Sequence, residues 1–306
     1  MRRVFIYTDI VEQFSCQMCG ACCRNQWQVT LSETSYRRNE ALFAGTGRQA
    51  EFDQAFIRLQ ELAGYGEYAY IAKQAGGGCW FLDTGNRCRL HREAGHSQLD
   101  AVCQTFPRYP MSTARGIELT LSFSCPAVLK LADREAALSI VKAEKQPTAV
   151  ADDSYAVAVY PVQQPARKPL YYYFELETHF IDILQYRGLP LSERLDFLAD
   201  TVNEVNGLAQ DETIGRALTT LFRSNYDYLD RLAVARTPSV TAPGAGLLEN
   251  FLVSFVFKKP FYIYGLDKTL HLLQRMWQQI VNADDMTAAI RKLEFQYGHD
   301  RKVLLG

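Results

Sequence analysis

The chain has 306 residues, of which 48% are hydrophobic and 22% charged, and its formal net charge is −1. That length supports one large or two medium domains with a sizeable core. The near-neutral balance argues against a nucleic-acid partner, which would call for a basic domain. Apolar runs such as Phe251–Phe257 fall well short of the roughly 20 residues that cross a bilayer, so no membrane association is expected.

The first residues are two arginines and a brief apolar stretch, without the long apolar segment and small-residue cleavage site of a secretory signal. A cytoplasmic location is therefore expected, where thiols stay reduced. Next comes a run of four cysteines, Cys16-x2-Cys19-x2-Cys22 with Cys23 directly after. Two thiolates separated by two residues reach one soft metal ion through a single tight turn, and Gly20 relieves that turn. Neighbouring side chains diverge by about 100° on a helix, so Cys22 and Cys23 are expected to serve a metal differently. Either two centres lie close together or one thiol is spare.

Ser32 or Thr34 is placed to cap a helix running through Leu42. Phe52, Phe56, Leu59 and Leu62 have helical spacing and predict a helix over 50–63. Three glycines, 76–78, break the chain before Cys79, and Asp83–Asn86 is a turn before Cys88. His91 follows Cys88 by three residues, which permits a cysteine–histidine ligand pair, although a hydrogen-bonded structural histidine is the simpler expectation. Cys103 precedes Arg108, which either balances thiolate charge or is an ordinary solvated side chain. Residues 117–123 alternate as a strand and deliver Cys125. Pro126 suits the first turn of a helix over 126–143.

No cysteine occurs after Cys125. This asymmetry predicts a cysteine-rich metal-cluster domain over 1–143, a polar, proline-bearing seam over 144–175 with an edge strand between Tyr155 and Tyr160, and a helical domain over 176–306. The last part carries five apolar stripes at helical spacing, around Leu176–Leu184, Leu191–Val205, Leu218–Leu232, Leu248–Val256 and Leu270–Val281. The expected fold class is mainly α with a small irregular or β element, a metal-cluster domain followed by a helical bundle.

Eight thiols in a reducing compartment point to metal rather than disulfides. They suffice for two four-cysteine sites, holding zinc or iron–sulfur clusters, or for one site with inert or redox-active thiols beside it.

The order of these pieces, with Cys79-Trp-Phe-Leu82, Cys88-Arg-Leu-His91, Cys103-Gln-Thr-Phe-Pro-Arg108 and Leu121-Ser-Phe-Ser-Cys125-Pro126, resembles the CxxCxxCC family of zinc- or iron-chelating proteins. With the later Phe257-Lys-Lys-Pro-Phe261, it is most similar to the flagellin lysine-N-methylases within that family. The resemblance implies methyl transfer from S-adenosylmethionine to lysine side chains of flagellin or another protein. It also implies a bound iron–sulfur cluster, most plausibly 4Fe-4S with zinc as the alternative. The ligand candidates it carries over are Cys16, Cys19, Cys22, Cys23, Cys79, Cys88, Cys103 and Cys125.

A lysine must lose its proton before it attacks a sulfonium methyl, so polar aromatic groups near a carboxylate are of interest. Tyr171–Glu175, Glu177 and Tyr226–Tyr228 qualify, although core packing at helical spacing is the simpler expectation for each, and no catalytic residue is assigned. The donor site is also unassigned. No strand–GxGxxG–helix unit is present, and Gly45-Thr-Gly47 is an isolated turn. The C-x3-C-x2-C triad of radical S-adenosylmethionine enzymes is missing, because Gln26 stands where its third cysteine would be. The rival reading is a non-enzymatic zinc- or iron-binding or scaffold protein with a structural cysteine site.

Overall fold

The computed structural model describes residues 4–25, 27–63, 67–147, 164–234 and 244–298. The edge strand expected between Tyr155 and Tyr160 lies outside these residues. Strand β1 (Phe5–Thr8) leads into the short helix α1 (Ile10–Gln13), and α2 (Ala21–Arg24) carries Cys22 and Cys23. Then come β2 (Thr30–Leu31), α3 (Glu33–Gly45), α4 (Gln49–Ala55), β3 (Phe56–Ala63) and β4 (Glu67–Ile71). After a loop holding Cys79 and Cys88, the chain continues through α5 (Arg89–Ala94), α6 (Ala101–Thr105), β5 (Arg108–Thr113), β6 (Gly116–Leu121), α7 (Pro126–Ala132) and β7 (Ile140–Ala143). The rest is helical: α8 (Tyr173–Gln185), α9 (Leu191–Gly207), α10 (Ile214–Val234), α11 (Ala245–Phe257), α12 (Pro260–Ile263), α13 (Leu266–Val281) and α14 (Met286–Gly298). The protein is thus mainly α with small β elements. No helix among the described residues is long and apolar enough to cross a membrane.

Two sheets organise the N-terminal half. One has the order β5-β6-β1-β7, with β1 parallel to β6 and antiparallel to β7; the other has the order β2-β4-β3. Ser32 caps α3 by accepting from the Ser35 amide at 3.2 Å, as the sequence suggests. The helix expected over 50–63 stops at Ala55. Phe56 and Ile57 instead pair with Ile71 and Tyr70 on β4, so strand pairing overrides the helical spacing. Phe52 and Phe56 still share one aromatic core with Phe43 and Phe81 across the helix–strand junction.

The helix expected over 126–143 also ends early, at Ala132. The buried Asn250 side chain donates to the carbonyls of Ala132 and Ala136 and accepts from the Leu138 amide. Those bonds replace the helical ones, and the chain leaves to pair as β7 with β1.

The buried side chains form two cores. The smaller packs α3, α4 and the three-stranded sheet around Cys79, Phe81 and Leu90, with Cys23, Cys88 and Cys103 at its margin. The larger joins the four-stranded sheet and α7 to the C-terminal helices. Strand β1 therefore shares its core with α8 and α11 rather than with α3. Helix α11 is buried from Leu247 to Phe257, as expected of a helix that is apolar on all sides. Trp27 joins the two regions, edge-on to Phe106 at 5.1 Å and stacked on Phe295 at 5.2 Å.

A buried ion network pins the sheet to the helices. Lys259, fully buried, directs its Nζ to Glu118 on β6 at 2.8 Å, to Glu177 on α8 at 2.5 Å and to the Phe257 carbonyl at 2.7 Å. Arg115 bridges the same two carboxylates at 2.8 and 2.7 Å. Two cations thus meet two anions, which is what allows the group to be buried. Burial opposes ionisation of both carboxyls. At Glu118, Lys259 and Arg115 outweigh it and hold the pKa below its usual value, whereas at Glu177 burial wins and the pKa rises.

Candidate metal centre

The cysteine loop is shaped by Gly20, whose φ of +67° is in the left-handed region, and a Cβ there would stand 2.8 Å from the Asn86 carbonyl. Arg24 clamps the same place, donating to the Cys19 carbonyl at 3.0 Å and to the Asn86 side chain. The 83–88 turn, closed by Asn86 N–H to the Asp83 carbonyl at 3.1 Å, is thereby held against the first cysteine run. The Cys79 amide donates to the Cys23 carbonyl at 2.8 Å and brings in a third segment.

All eight cysteines are free thiols. Cys16 and Cys19 are exposed, Cys22, Cys23, Cys88 and Cys103 are half-buried, and Cys79 and Cys125 are buried. The sulfurs of Cys22 and Cys23 stand 3.8 Å apart, which corrects the expected divergence. A single helical turn leaves both side chains free to choose rotamers that bring the sulfurs together. Two thiolates on one tetrahedral ion at about 2.3 Å are themselves about 3.8 Å apart.

The hydrogen bond from Cys23 lowers the Cys22 pKa to about 7, and the Cys23 thiol is correspondingly raised by that bond and by burial. Burial raises Cys79, Cys88, Cys103 and Cys125 as well. Like-charge repulsion couples Cys103 to Cys79, Cys22 and Cys88, and Cys125 to Cys19 and Cys22. Seven of the thiols thus lie within electrostatic reach of one another. Cys16 acts instead on Arg108, whose guanidinium lies 5.3 Å from the Phe14 ring and whose Nε has no partner among the described residues. That position suits the charge-balancing role rather than a solvated one.

Among the described residues, no three Cys, His, Asp or Glu side chains converge on one point as they stand. The donor chemistry nevertheless fits a soft metal centre: thiols from five chain segments lie within electrostatic reach of Cys22, and one pair is already at ligand spacing. The role left open for His91 is narrowed by its backbone N–H, which approaches the Cys88 sulfur at 3.5 Å, and by its ring, which packs edge-on against His96 at 5.5 Å. Glu177 belongs to the buried ion network. Tyr172, Phe174, Glu175, Tyr226 and Asp227, which the sequence singles out as polar aromatic groups near carboxylates, line a groove between α8 and α10; that they share one groove was not legible, because each residue reads singly as core packing.

Residues 15–126 match the family described as "CxxCxxCC: Putative zinc- or iron-chelating domain". Similar proteins include the flagellar biosynthetic protein FliU of Salmonella muenchen, 28% identical over 120 residues, which are 39% of this chain and 70% of that protein. The lysine-N-methylases of Salmonella typhimurium strain LT2 and Salmonella choleraesuis strain SC-B67 are 29% and 28% identical over 122 residues. That stretch is 39% of this chain but only 29% of each methylase. No solved structure matches. Through residues 15–126 the chain is thus related to the zinc- or iron-chelating CxxCxxCC family that its cysteine spacing resembles, with lysine-N-methylases among its relatives.

Proposed function

We propose that this protein is an iron–sulfur protein of the lysine-N-methylase type, acting on lysine side chains of flagellin or another protein with S-adenosylmethionine as donor. The observation that carries the reading is that thiols from five segments lie within electrostatic reach of Cys22, with Cys23 at 3.8 Å from it. Ligands are drawn from Cys16, Cys19, Cys22, Cys23, Cys79, Cys88, Cys103 and Cys125, and the likeness to lysine-N-methylases supplies the reaction. A cytoplasmic location accords with eight reduced thiols.

Bound there, a cluster supplies a compact cationic anchor that keeps its thiolate ligands deprotonated. The chain's own residues hold the loops: Gly20 and Arg24 dock the first run on the 83–88 turn, and Cys79 ties to Cys23 through the backbone. In the proposed reaction the lysine Nε lone pair forms a bond to the sulfonium methyl carbon, the methyl–sulfur bond breaks, and S-adenosylhomocysteine leaves. The amine's proton goes to solvent or a nearby base before attack.

Calorimetry of the cluster-loaded full chain with S-adenosylmethionine, followed by mass spectrometry of a lysine-bearing protein substrate, tests this. Binding and a gain of methyl mass are expected; a loaded protein that does not bind the donor refutes the reading. A second reading, a structural zinc or iron site in a non-enzymatic protein, is favoured by the place of Cys79 within the smaller core. It predicts tightly held metal and no donor binding.

A further inference from the structure

The groove between α8 and α10 has a volume of about 770 Å³ and adjoins a second hollow of about 410 Å³. The two share Glu175, Phe222 and Tyr226. Its end is shaped by Gly215, where a Cβ would stand 2.7 Å from the Tyr172 hydroxyl. The second hollow is lined by His179, whose ring stacks on Phe222 at 4.2 Å and meets Tyr226 edge-on at 4.9 Å.

Two features mark this groove as a recognition site. First, it carries charges of both signs that are not used internally: Glu175, Glu212, Asp227, Arg216 and Arg223 form no ion pair with another described residue. Second, it is aromatic and open, with Tyr226 37% exposed, the composition that protein interfaces favour.

Beneath the second hollow, the His179 side chain keeps an unsatisfied donor. Thr201 gives its one hydroxyl proton to the Phe197 carbonyl at 2.9 Å, so it accepts from Asn225 Nδ2 at 3.0 Å. That same nitrogen therefore donates to His179 Nε2 at 3.1 Å, which leaves the neutral imidazole's proton on Nδ1. His179 is only 1% exposed, and Nδ1 has no partner among the described residues. That N–H has almost no accessible surface, so it is sealed beneath the hollow rather than presented to a ligand.

We propose that the α8–α10 groove docks an extended segment of a partner protein carrying both a basic and an acidic side chain. Three free carboxylates against two free guanidiniums favour a segment with basic residues in excess. A single small cation accounts for the carboxylates alone, whereas a polypeptide uses both charge signs. The groove is separate from the metal centre. Arg115, at the turn of the β5–β6 hairpin, borders the groove, whereas Cys103 and Cys125 flank the hairpin's other end. Six strand residues span about 20 Å, a distance that six or seven extended residues of one polypeptide cover. A segment held here thus lies within one strand's length of a residue presented near the thiols. The proposal rests on the reading that the substrate is a protein.

The test uses the metal-loaded full chain and a fluorescein-labelled peptide of alternating serine, lysine and glutamate, followed by fluorescence anisotropy. Thr219→Trp fills the groove from an exposed position. It should weaken peptide binding at least tenfold while metal content and Tm stay at wild-type values. The double change E175K/D227K should shift preference toward a glutamate-rich peptide. The proposal is overturned if wild type does not bind the peptide, if both variants bind like wild type, or if the groove takes S-adenosylhomocysteine in competition with the peptide. Peptide binding without any methyl transfer would leave the groove assigned and sink the methylase reading. Methyl transfer untouched by Thr219→Trp would do the reverse.

Discussion

Lys259 is fully buried, with a positive φ of +68°, between two carboxylates that without it would share Arg115 as their one counter-ion among the described residues. Removing one partner of a buried ion group costs roughly 3 to 5 kcal/mol, because the remaining charge is left uncompensated. Lys259→Met should lower stability by about that amount in urea unfolding; a loss of less than about 1 kcal/mol would contradict the network's role. His179 gives a second prediction. Burial holds its pKa down to about 4 from 6.5, so the folded state keeps it neutral. Stability from this group is full above pH 6.5 and is lost as pH falls toward 4, because the unfolded state takes up the proton first. Its ring resonances should therefore stay unshifted between pH 8 and pH 5 in NMR, and a midpoint near 6.5 would contradict the burial. At this scale the cysteines were legible, since few chemistries use thiols at such spacing. Lys259 and His179 were not. A charged residue after an apolar run reads as a helix end, and a lone histidine carries no sign of what surrounds it.

Among the elements, the long C-terminal helices could be read from their apolar stripes because each buries one face along its whole length. The misread elements are those decided by distant partners. Phe56 became a strand residue through β4, and the helix after Pro126 was cut short by Asn250, more than a hundred residues away. Helix α14, with a weaker apolar stripe, went unanticipated. Close packing at this scale gives a further test. Gly246 lies in the first turn of α11, where a Cβ would stand 2.3 Å from the Arg134 carbonyl, whereas Gly207 at the end of α9 faces open space. Gly246→Ala should cost roughly 1 to 3 kcal/mol by forcing the 132–135 turn away. Gly207→Ala should be neutral or stabilise by about 0.5 kcal/mol. Equal Tm values for the two variants would contradict this packing.

Across the whole molecule, Cys23, Cys79, Cys88 and Cys103 lie in or beside the smaller core, while Cys125 belongs to the larger core, which has its own sheet and helices. A metal bound by the thiols should therefore support the two parts unequally. Chelation is expected to speed amide hydrogen exchange across residues 16–105 while α8, α9, α11 and α13 keep their protection; uniform loss of protection would contradict the division. The sequence announced a metal-binding half and a helical half. It did not show that β1 and the β5–β6 hairpin pack with the helices, because a strand's apolar alternation does not name the layer it will face. The central claim is that the gathered thiols hold an iron–sulfur cluster. Its most direct test is anaerobic purification of the full chain with analysis of iron, zinc and acid-labile sulfide. A brown protein with iron and sulfide in matching amounts, both lost in Cys19→Ser, is predicted. A colourless protein with stoichiometric zinc and no sulfide would contradict it.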